Sequence, residues 1–157
     1  MYFKYEGMTC VEKYIGFKMI EAEPMTAEEA GRVLGRPIDT SNGDTGYLVQ
    51  YIDGYKSWSP ASAFEPAYMQ VGDNSTITQE LVDNFIVAYE VITQQNKITI
   101  VTATLANNFT IVESSGCVDP ANHNEMLATE ICKTKIKDKV WFLLGFLLQT
   151  AKDGVCL

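Results

Sequence analysis

Basic residues are scarce in this chain, which has twelve lysines and arginines against twenty aspartates and glutamates. The formal net charge at pH 7 is therefore −8, and the pI is near 4.6. Binding to a nucleic-acid polymer needs a basic surface stripe, so this charge balance excludes such a partner. A small anion is compatible with the composition only where the local charge is positive.

Histidines and paired cysteines are also lacking. His123 is the only histidine, and Cys10, Cys117, Cys132 and Cys156 form no CxxC motif, so the sequence has no zinc-site pattern. The cysteines are interpreted as reduced thiols of a cytosolic protein, with two disulfides as the alternative. The first residues contain no apolar signal region, which favours the reduced state.

Long apolar runs and glycine fingerprints are missing. The longest strongly apolar run, residues 140–148, is too short to cross a bilayer, so no membrane partner is expected. Neither GxGxxG nor GxxxxGKS/T occurs, which excludes the standard dinucleotide and Walker phosphate loops. Asp119, Glu125 and Glu130 match no metal-ligand repeat, and acids near a helix start ordinarily complement the helix dipole. No metal site is predicted.

Hydrophobic residues make up 46% of the chain, which is enough for a folded core. We predict an α+β protein of two modules, residues 1–70 and 76–157. Between them, residues 71–75 are rich in turn-forming types and are expected to be a linker.

The first module is predicted to contain a strand, a helix, a hairpin and a second helix. Residues 15–23 mostly alternate between apolar and polar, as a half-buried strand does, and Pro24 is expected to end this strand. Thr26 and Glu29 have the spacing of a capping box, which predicts a short helix over residues 27–34.

A hairpin over residues 47–58, turned at Asp53 and Gly54, is predicted to follow. Ser59 is then expected to cap a helix over residues 60–68.

Four aromatic residues mark this hairpin: Tyr47, Tyr51, Tyr55 and Trp58. Exposed aromatic rings stack on bases or sugars, which would make the hairpin a binding surface. Aromatic residues also fit half-buried sheets, and we expect most of these four to be core.

The second module is predicted to contain a helix, a β-hairpin and a long helix. Thr78 is expected to cap a helix over residues 79–91, and residues 98–104 and 108–113 have the β-branched alternation of a hairpin. The apolar face expected for the first helix consists of Leu81, Phe85, Ala88 and Ile92.

A polar loop over residues 113–125 is predicted to lead into a long helix over residues 125–152. Asp119 precedes a proline and so leaves the helical region, and Asn122 or Asn124 is expected to cap the helix. The predicted apolar stripe of this helix is Leu127, Ile131, Ile136, Val140, Leu143 and Leu147.

The C-terminal half of this helix, residues 140–148, is hydrophobic on all sides. A small monomer rarely exposes such a surface, so we expect a homo-oligomer in which a partner protomer covers it. The alternative is that the first module covers the second face.

A catalytic interpretation needs a nucleophile near a base. Cys117 and His123 are the only such pair that lies close in sequence. The alternative interpretation is a small packing cysteine and a solvated histidine at a helix start.

The densest positive charge lies in four lysines: Lys133, Lys135, Lys137 and Lys139. They are expected to form a solvated helix face. With free N–H groups around Ser114, Ser115 and the helix start, they could accept a phosphate, and Phe109 could stack on a base. This combination suits a small phosphorylated nucleotide better than a polymer.

Residues 108–122, NFTIVESSGCVDPAN, and residues 136–149, IKDKVWFLLGFLLQ, resemble a widespread family of small tailed-phage proteins. The string ESSGCVDPAN carries most of the resemblance, which covers about half of the chain. The family looks like the one that includes the anti-Thoeris proteins of the first type.

This resemblance implies a non-enzymatic sponge that needs no cofactor. Such proteins sequester cyclic ADP-ribose isomers made by bacterial TIR-domain proteins, and some also hold cyclic oligonucleotides. They form dimers or larger oligomers with pockets between protomers, and the implied location is the host-cell cytoplasm.

By the same resemblance, Phe109 would stack on adenine, residues 114–122 would line the pocket, and Lys135 or Lys139 would meet the pyrophosphate. The implied ligand-binding residues are Phe109, Glu113, Ser114, Ser115, Cys117, Asp119, Asn122, Lys135 and Lys139.

The first module departs from the minimal sponge, which lacks it. Its GYLVQY, DGY and SWSP strings resemble a module that recurs in phage proteins and is sometimes fused to this family. The rival hypothesis is a phage structural or protein-interaction factor that contacts a host protein through the N-terminal aromatic residues. An enzyme that uses Cys117 is the third.

Overall fold

The structure, a computed structural model, describes residues 13–156. In chain order its elements are β1 (Glu21–Thr26), α1 (Ala27–Leu34), β2 (Thr45–Gln50), β3 (Lys56–Pro60), α2 (Ala61–Phe64), α3 (Gln79–Phe85), β4 (Ile86–Gln94), β5 (Ile98–Leu105), β6 (Thr110–Gly116), a 3-10 turn (Pro120–Asn122) and α4 (Glu125–Asp153). The strands form two antiparallel sheets, ordered β1-β2-β3 and β4-β5-β6. The predicted α+β class with a long C-terminal helix is confirmed.

The first strand lies further along the chain than the sequence predicts. Residues 15–20 have no regular structure, and β1 continues through Pro24 to Thr26. A proline has no N–H to give to a ladder, but β1 is an edge strand, where an outward-facing position needs none. The expectation that Pro24 ends the strand is therefore wrong.

The predicted capping box at the start of α1 is confirmed. The Glu29 N–H donates to the Thr26 hydroxyl at 3.3 Å, and the Thr26 N–H donates to the Glu29 carboxylate at 3.0 Å. Hydrogen bonds from the Thr26 hydroxyl and N–H lower the pKa of the Glu29 carboxyl. Gly35 closes the helix in the left-handed conformation, with φ of 67°.

The hairpin β2–β3 forms as predicted, but the helix after it is shorter and starts differently. Pro60 still pairs with Gly46 in the sheet, so α2 begins only at Ala61, and no side chain caps it. The predicted Ser59 cap and the helix reaching residue 68 are wrong.

The hairpin aromatics divide between core and surface. Trp58 is half-buried and its Nε1 donates to the Met25 carbonyl at 2.9 Å, while the Tyr47 ring stacks on Phe64 with centroids 4.1 Å apart. Tyr55, near the hairpin turn, leaves 58% of its surface exposed. Tyr47, Tyr51 and Trp58 are half-buried, which agrees with a place in a small sheet, and the core interpretation is wrong for Tyr55.

The predicted helix over residues 79–91 is wrong beyond Phe85. Thr78 does cap α3, accepting from the Leu81 N–H at 3.1 Å, but residues 86–94 form β4 instead of further helical turns. This segment, IVAYEVITQ, is rich in β-branched residues, and β5 offers it a partner over its whole length. Tertiary pairing thus overrides the three- and four-residue apolar spacing.

The hairpin β5–β6 is confirmed, although β6 runs further than expected. Ser114 pairs with Ile100, Ser115 with Thr99 and Gly116 with Ile98. The segment over residues 114–116 is therefore strand, where the sequence predicts the start of a loop.

Helix α4 begins as predicted. The Asn124 side chain caps it by accepting from the Leu127 N–H at 3.0 Å. Its buried row is spaced by four residues and differs from the predicted stripe in all but two members: Ala128, Cys132, Ile136, Val140 and Leu144.

The remaining members of the predicted stripe are exposed because each lies one residue before a position of the four-residue row, about 100° around the helix from it. In addition, α4 extends beyond the second sheet. The helix has 29 residues, about 43 Å, whereas the eight residues of β5 extend about 27 Å. The exposed members are Leu127, Ile131, Leu143 and Leu147.

The overhanging part of α4 meets the first module on one side. A cavity of about 360 Å³ is lined by Leu144 and Leu148 of the helix and by Met19 and Met69 among others. On other sides Phe142 and Phe146 are 75% and 67% exposed. The first module thus covers part of the apolar surface, and the covering of the rest by a partner protomer stays a prediction. Within residues 13–156 no helix is both long and apolar enough to cross a membrane.

Gly46 is predicted to be intolerant of any side chain. A Cβ there would lie 2.2 Å from the Ser59 carbonyl oxygen and 2.7 Å from the Trp58 ring. We expect Gly46→Ala to lower the free energy of unfolding by about 1 to 3 kcal/mol, as overpacking does, in urea denaturation. Gly16→Ala is the control, since nothing lies within 4 Å of its added Cβ. Equal effects of the two substitutions would contradict the close packing at Gly46.

The four-residue row of α4 predicts unequal roles for two isoleucines of the expected stripe. Ile136 is fully buried, whereas Ile131 is 41% exposed. Ile136→Ala should cost about 2 to 5 kcal/mol of unfolding free energy because it leaves a cavity, and Ile131→Ala should cost clearly less. A larger loss at Ile131, measured by the same denaturation, would favour the stripe predicted from sequence.

Candidate functional site

Phe109 stands in the turn between β5 and β6. The turn is held by the Asn107 side chain, which accepts from the Phe109 N–H at 3.1 Å, and by Asn108 in the left-handed region with φ of 63°. Asparagine tolerates that conformation better than most residues. The Phe109 ring is left 55% exposed, so it is available to stack against a ligand.

An open cleft of about 340 Å³ lies between β6 and α4 beside this ring. It is lined by Phe109 and residues 110–112 from the sheet, and by Lys139, Phe142 and Leu143 from the helix. Lys139 and Phe142 are three residues apart and therefore share a side of α4. The cleft combines exposed aromatic surface with a cation.

Glu113, in the middle of β6, does not line the cleft but contacts one of its residues, Lys139. Its carboxylate pairs with the Lys139 ammonium, and its side chain is only 15% exposed, against 54% for Lys139. The ion pair fixes the lysine next to the strand. It also offsets the positive charge that an anionic ligand would meet.

Of the four lysines on α4, Lys135 differs from the other three in its ion pairing. Lys133 pairs with Glu130 at 3.0 Å and Lys137 with Asp83 at 2.8 Å, whereas Lys135 makes no ion pair within residues 13–156. Lys135 and Lys139 are four residues apart and lie on the same side of the helix. Their side chains therefore concentrate positive charge beside β6.

Ser114 and Ser115 do not face the same way. Ser115 pairs with the buried Thr99 and so lies on the face that α4 covers, together with Glu113. Ser114 points to the opposite face, because successive strand residues alternate. One pocket of a single protomer cannot receive both side chains.

The segment after β6 uses many of its own polar groups. The Cys117 N–H donates to the Lys97 carbonyl at 3.0 Å, and the Asp119 carboxylate accepts from the Ala121 N–H at 2.9 Å. Asn124 takes a helix N–H, and Glu125 adds negative charge in the first turn. Asn122 is exposed. The helix start is therefore a poorer phosphate site than the sequence suggests.

Cys117 and His123 have other partners. The Cys117 thiol donates to the Asp119 carbonyl at 3.1 Å, and a ring nitrogen of His123 lies 3.0 Å from the Thr99 hydroxyl. Cys117, Cys132 and Cys156 are free thiols, while Cys10 lies outside the described residues. In the described part of the chain, no group of three or more potential ligand side chains could hold a metal ion.

The predicted site residues fall into two groups at opposite ends of β6. Phe109 precedes the strand and Cys117 follows it, and the eight steps between them extend about 26 Å. Glu113, Lys135 and Lys139 lie nearer the middle. A single nucleotide is too small to touch both Phe109 and the loop over residues 117–122 in one protomer.

Two residues of the cleft, Phe142 and Leu143, are missed by the sequence analysis, which assigns them to the apolar run of the helix. A signal for Phe142 exists: it follows Lys139 by three residues, so any pocket at Lys139 would include it. Thr99, which anchors His123, has no comparable signal, because a buried threonine in a strand is ordinary packing.

Residues 77–152 match the model of the phage protein family described as Phage protein (N4 Gp49/phage Sf6 gene 66). We call this segment, which is similar to that family, the phage-family module. The phage-family module runs from just before α3 to the last turn of α4, so it holds the whole second sheet and the Phe109 cleft, and it excludes the first sheet. The predicted phage family is confirmed for this segment. No curated protein and no solved structure gives a significant match to the chain.

The ion pair between Asp83 and Lys137 fixes α3 on α4 inside the phage-family module, and it predicts a pH dependence. The Lys137 ammonium, with Gln79, lowers the pKa of the Asp83 carboxyl. A pKa lowered by folding gives stability that is present above the unfolded-state pKa and lost as the pH falls through the folded-state pKa. Asp83→Asn should therefore be less stable than the native protein at pH 7, and this difference should vanish in acid.

Urea denaturation over a pH series measures this difference. Asp138→Asn is the matched control, because Asp138 is exposed on α4 and makes no ion pair within residues 13–156. A difference for Asp83→Asn that is independent of pH would show that the ion pair contributes nothing.

Proposed function

We propose that this protein is a phage-encoded sponge that binds and sequesters a cyclic nucleotide signal without degrading it. The proposed ligand is a cyclic ADP-ribose isomer made by TIR-domain enzymes, with cyclic oligonucleotides as further candidates. The protein would thereby suppress an immune response in the cytoplasm of the host cell. The family match supports the phage origin, and the geometry of the cleft supports the ligand class.

The observation that carries this proposal is the cleft at Phe109. A cyclic ADP-ribose isomer has a purine, two riboses and a pyrophosphate. The exposed Phe109 ring offers a stacking surface for the base. Lys139 and Lys135, on the same side of α4, offer charge-assisted hydrogen bonds for the phosphates.

The separation along β6 supports a site shared by two protomers. In a two-fold dimer that places the β6 strands side by side and antiparallel, Phe109 of one protomer lies near the loop over residues 117–122 of the other. The two groups of site residues would then come together at two equivalent sites, one at each end of the paired β6 strands. Burial of Phe142 and Phe146, both largely exposed in the single chain, would stabilise such a dimer.

Sequestration suits this site better than hydrolysis does. The Cys117 thiol and the His123 ring are each bonded elsewhere, to the Asp119 carbonyl and the Thr99 hydroxyl. A general base must be within hydrogen-bond reach of the proton that it removes. The residues beside the cleft are aromatic, apolar or already ion-paired, which is the composition of a binding pocket.

A second function, contact with a host protein, is favoured by the tip of the β2–β3 hairpin. Ile52 is fully exposed there and Tyr55 is largely exposed. Exposed aromatic and aliphatic residues at a rigid turn are typical anchors of protein interfaces. This hairpin lies outside the phage-family module, so its role is separable from that of the cleft.

The sponge is tested by identifying what the protein carries. Purified protein is incubated with the products of a TIR-domain cyclase, separated from free small molecules and denatured, and the released compounds are identified by mass spectrometry. We expect an unaltered cyclic ADP-ribose isomer. Release of nothing, with cyclic di- and trinucleotides also unbound, would overturn the proposal, and release of a linear product would indicate an enzyme.

Phe109→Ala should reduce the recovered ligand about tenfold or more, because one base stack is worth about 1 to 3 kcal/mol. Tyr55→Ala is the matched control, since both rings are just over half exposed and the two lie in different modules. Loss of host-protein binding in Tyr55→Ala, with ligand recovery equal in the two variants, would favour the interaction factor instead.

A further inference from the structure

Strand β4 forms one edge of the second sheet. Within the part of the chain that the structure describes, it pairs with β5 alone, so the outward-facing N–H and C=O groups of its backbone have no neighbouring strand. The strand has nine residues and extends about 30 Å. Such an edge is a template for pairing with another chain.

The two edges of the first sheet carry features that discourage such pairing. β1 contains Pro24, preceded by Glu21 and Glu23, and β3 is five residues long, with Lys56 at its start and Pro60 at its end. Prolines, charges and short strands are the usual protections of an edge. β4 has no proline and no lysine, and Glu90 is its one charged residue.

The side chains of β4 are also unusually apolar for an edge that faces water. Val87, Val91 and Ile92 are all exposed, Ile92 by 49%. Val91 lies on the helix-covered face of the sheet and is still 39% exposed, because α4 packs mainly over β5 and β6. Ile92 lies on the opposite face, beside Ile100. An added strand would therefore bury apolar side chains on both faces.

We propose that β4 pairs antiparallel with β4 of a second copy of this chain, across a two-fold axis. The two three-stranded sheets then become one sheet of six strands, which is a common size. The interface lies at the opposite edge of the sheet from β6 and the Phe109 cleft. The proposed pairing of β4 does not depend on whether the cleft binds a nucleotide.

Charge excludes one register of this pairing, and the proposed one gives Glu90 a partner. A two-fold axis at Glu90 would place two carboxylates directly opposite each other, which is destabilising. Moving the axis by two residues puts Ile92 on it, where it packs against its symmetry mate, and residues 90–94 of the two strands then pair. Glu90 then faces Gln94 of the partner subunit, whose amide donates to the carboxylate. β4 is thus complementary to itself in this register.

A second copy fits this edge better than an unrelated extended peptide. β4 itself contains the apolar residues that would pack on both faces of the sheet and Gln94, which would pair with Glu90. A second copy of β4 therefore provides every group that this edge needs in a partner. Two-fold contacts of this kind are the commonest in soluble oligomers. If the β4 edge instead bound an unrelated peptide, substitutions in β4 would not change the self-association of the protein.

The first test compares Ile92→Lys with Ile52→Lys by sedimentation equilibrium of the full chain. The native protein should self-associate, and Ile92→Lys should weaken this association about tenfold or more, because two lysines would meet on the axis. Ile52→Lys makes the same change at a fully exposed hairpin position and should have no effect. A native protein that stays monomeric, or an Ile92→Lys variant that associates normally, would overturn the proposal.

The second test does not depend on a destabilising change. Ile92→Cys is made with Cys10, Cys117 and Cys156 replaced by serine, leaving the fully buried Cys132. Mild oxidation should give a covalent dimer much faster than for Ile52→Cys in the same background, since residues opposite each other on paired strands lie about 4.5 to 5.5 Å apart at Cα. Equal cross-linking rates would contradict the proposed register.

Discussion

The packing of α4 on the second sheet is the contact on which the rest of the structure depends. Ile136, Val140 and Leu144 of the helix and Val101 and Leu105 of the sheet form one buried cluster. Because the buried row repeats every four residues on a helix of 3.6 residues per turn, it drifts around the helix by about 40° per step. That drift sets the positions of the lysines beside β4 and β6, and Phe142 and Phe146 are exposed because each lies two residues from a buried position, about 200° around the helix.

Local signals predicted a large part of this fold, and long-range pairing accounts for most of the errors. The caps Thr26, Thr78 and Asn124 each act through atoms within three residues, so the sequence shows them directly. Residues 86–94 have the apolar spacing of a helix, and only the partner strand β5, four residues further on, makes them a strand. The stripe of α4 could not be predicted for the same reason, since its buried side is defined by which face of the helix packs on the sheet.

The candidate site could be predicted as a set of residues but not as a geometry. Phe109 and Lys139 do line one cleft, with Glu113 paired to Lys139, and the sequence had placed them on the predicted hairpin and helix that form it. It could not show that β6 continues to Gly116, which separates Ser114 from Ser115 by face and Phe109 from Cys117 by length. The proximity of these residues in sequence suggests a single loop site. Because β6 is extended, it instead separates them into two groups, one at each end of the strand.

The two edges of the second sheet therefore have different chemistry. At the β6 edge, α4 supplies lysines and phenylalanines, and the one carboxylate there, Glu113, is already paired. At the β4 edge, α4 reaches only the inward side, through Lys133 over the Tyr89 ring and Glu125 at Thr93, and the exposed backbone lies among valine and isoleucine. A polar ligand needs fixed charges and hydrogen-bond donors, whereas strand pairing needs an unprotected backbone and apolar side chains. A single placement of α4 thus suits one edge to a small anionic ligand and the other to a second protein chain.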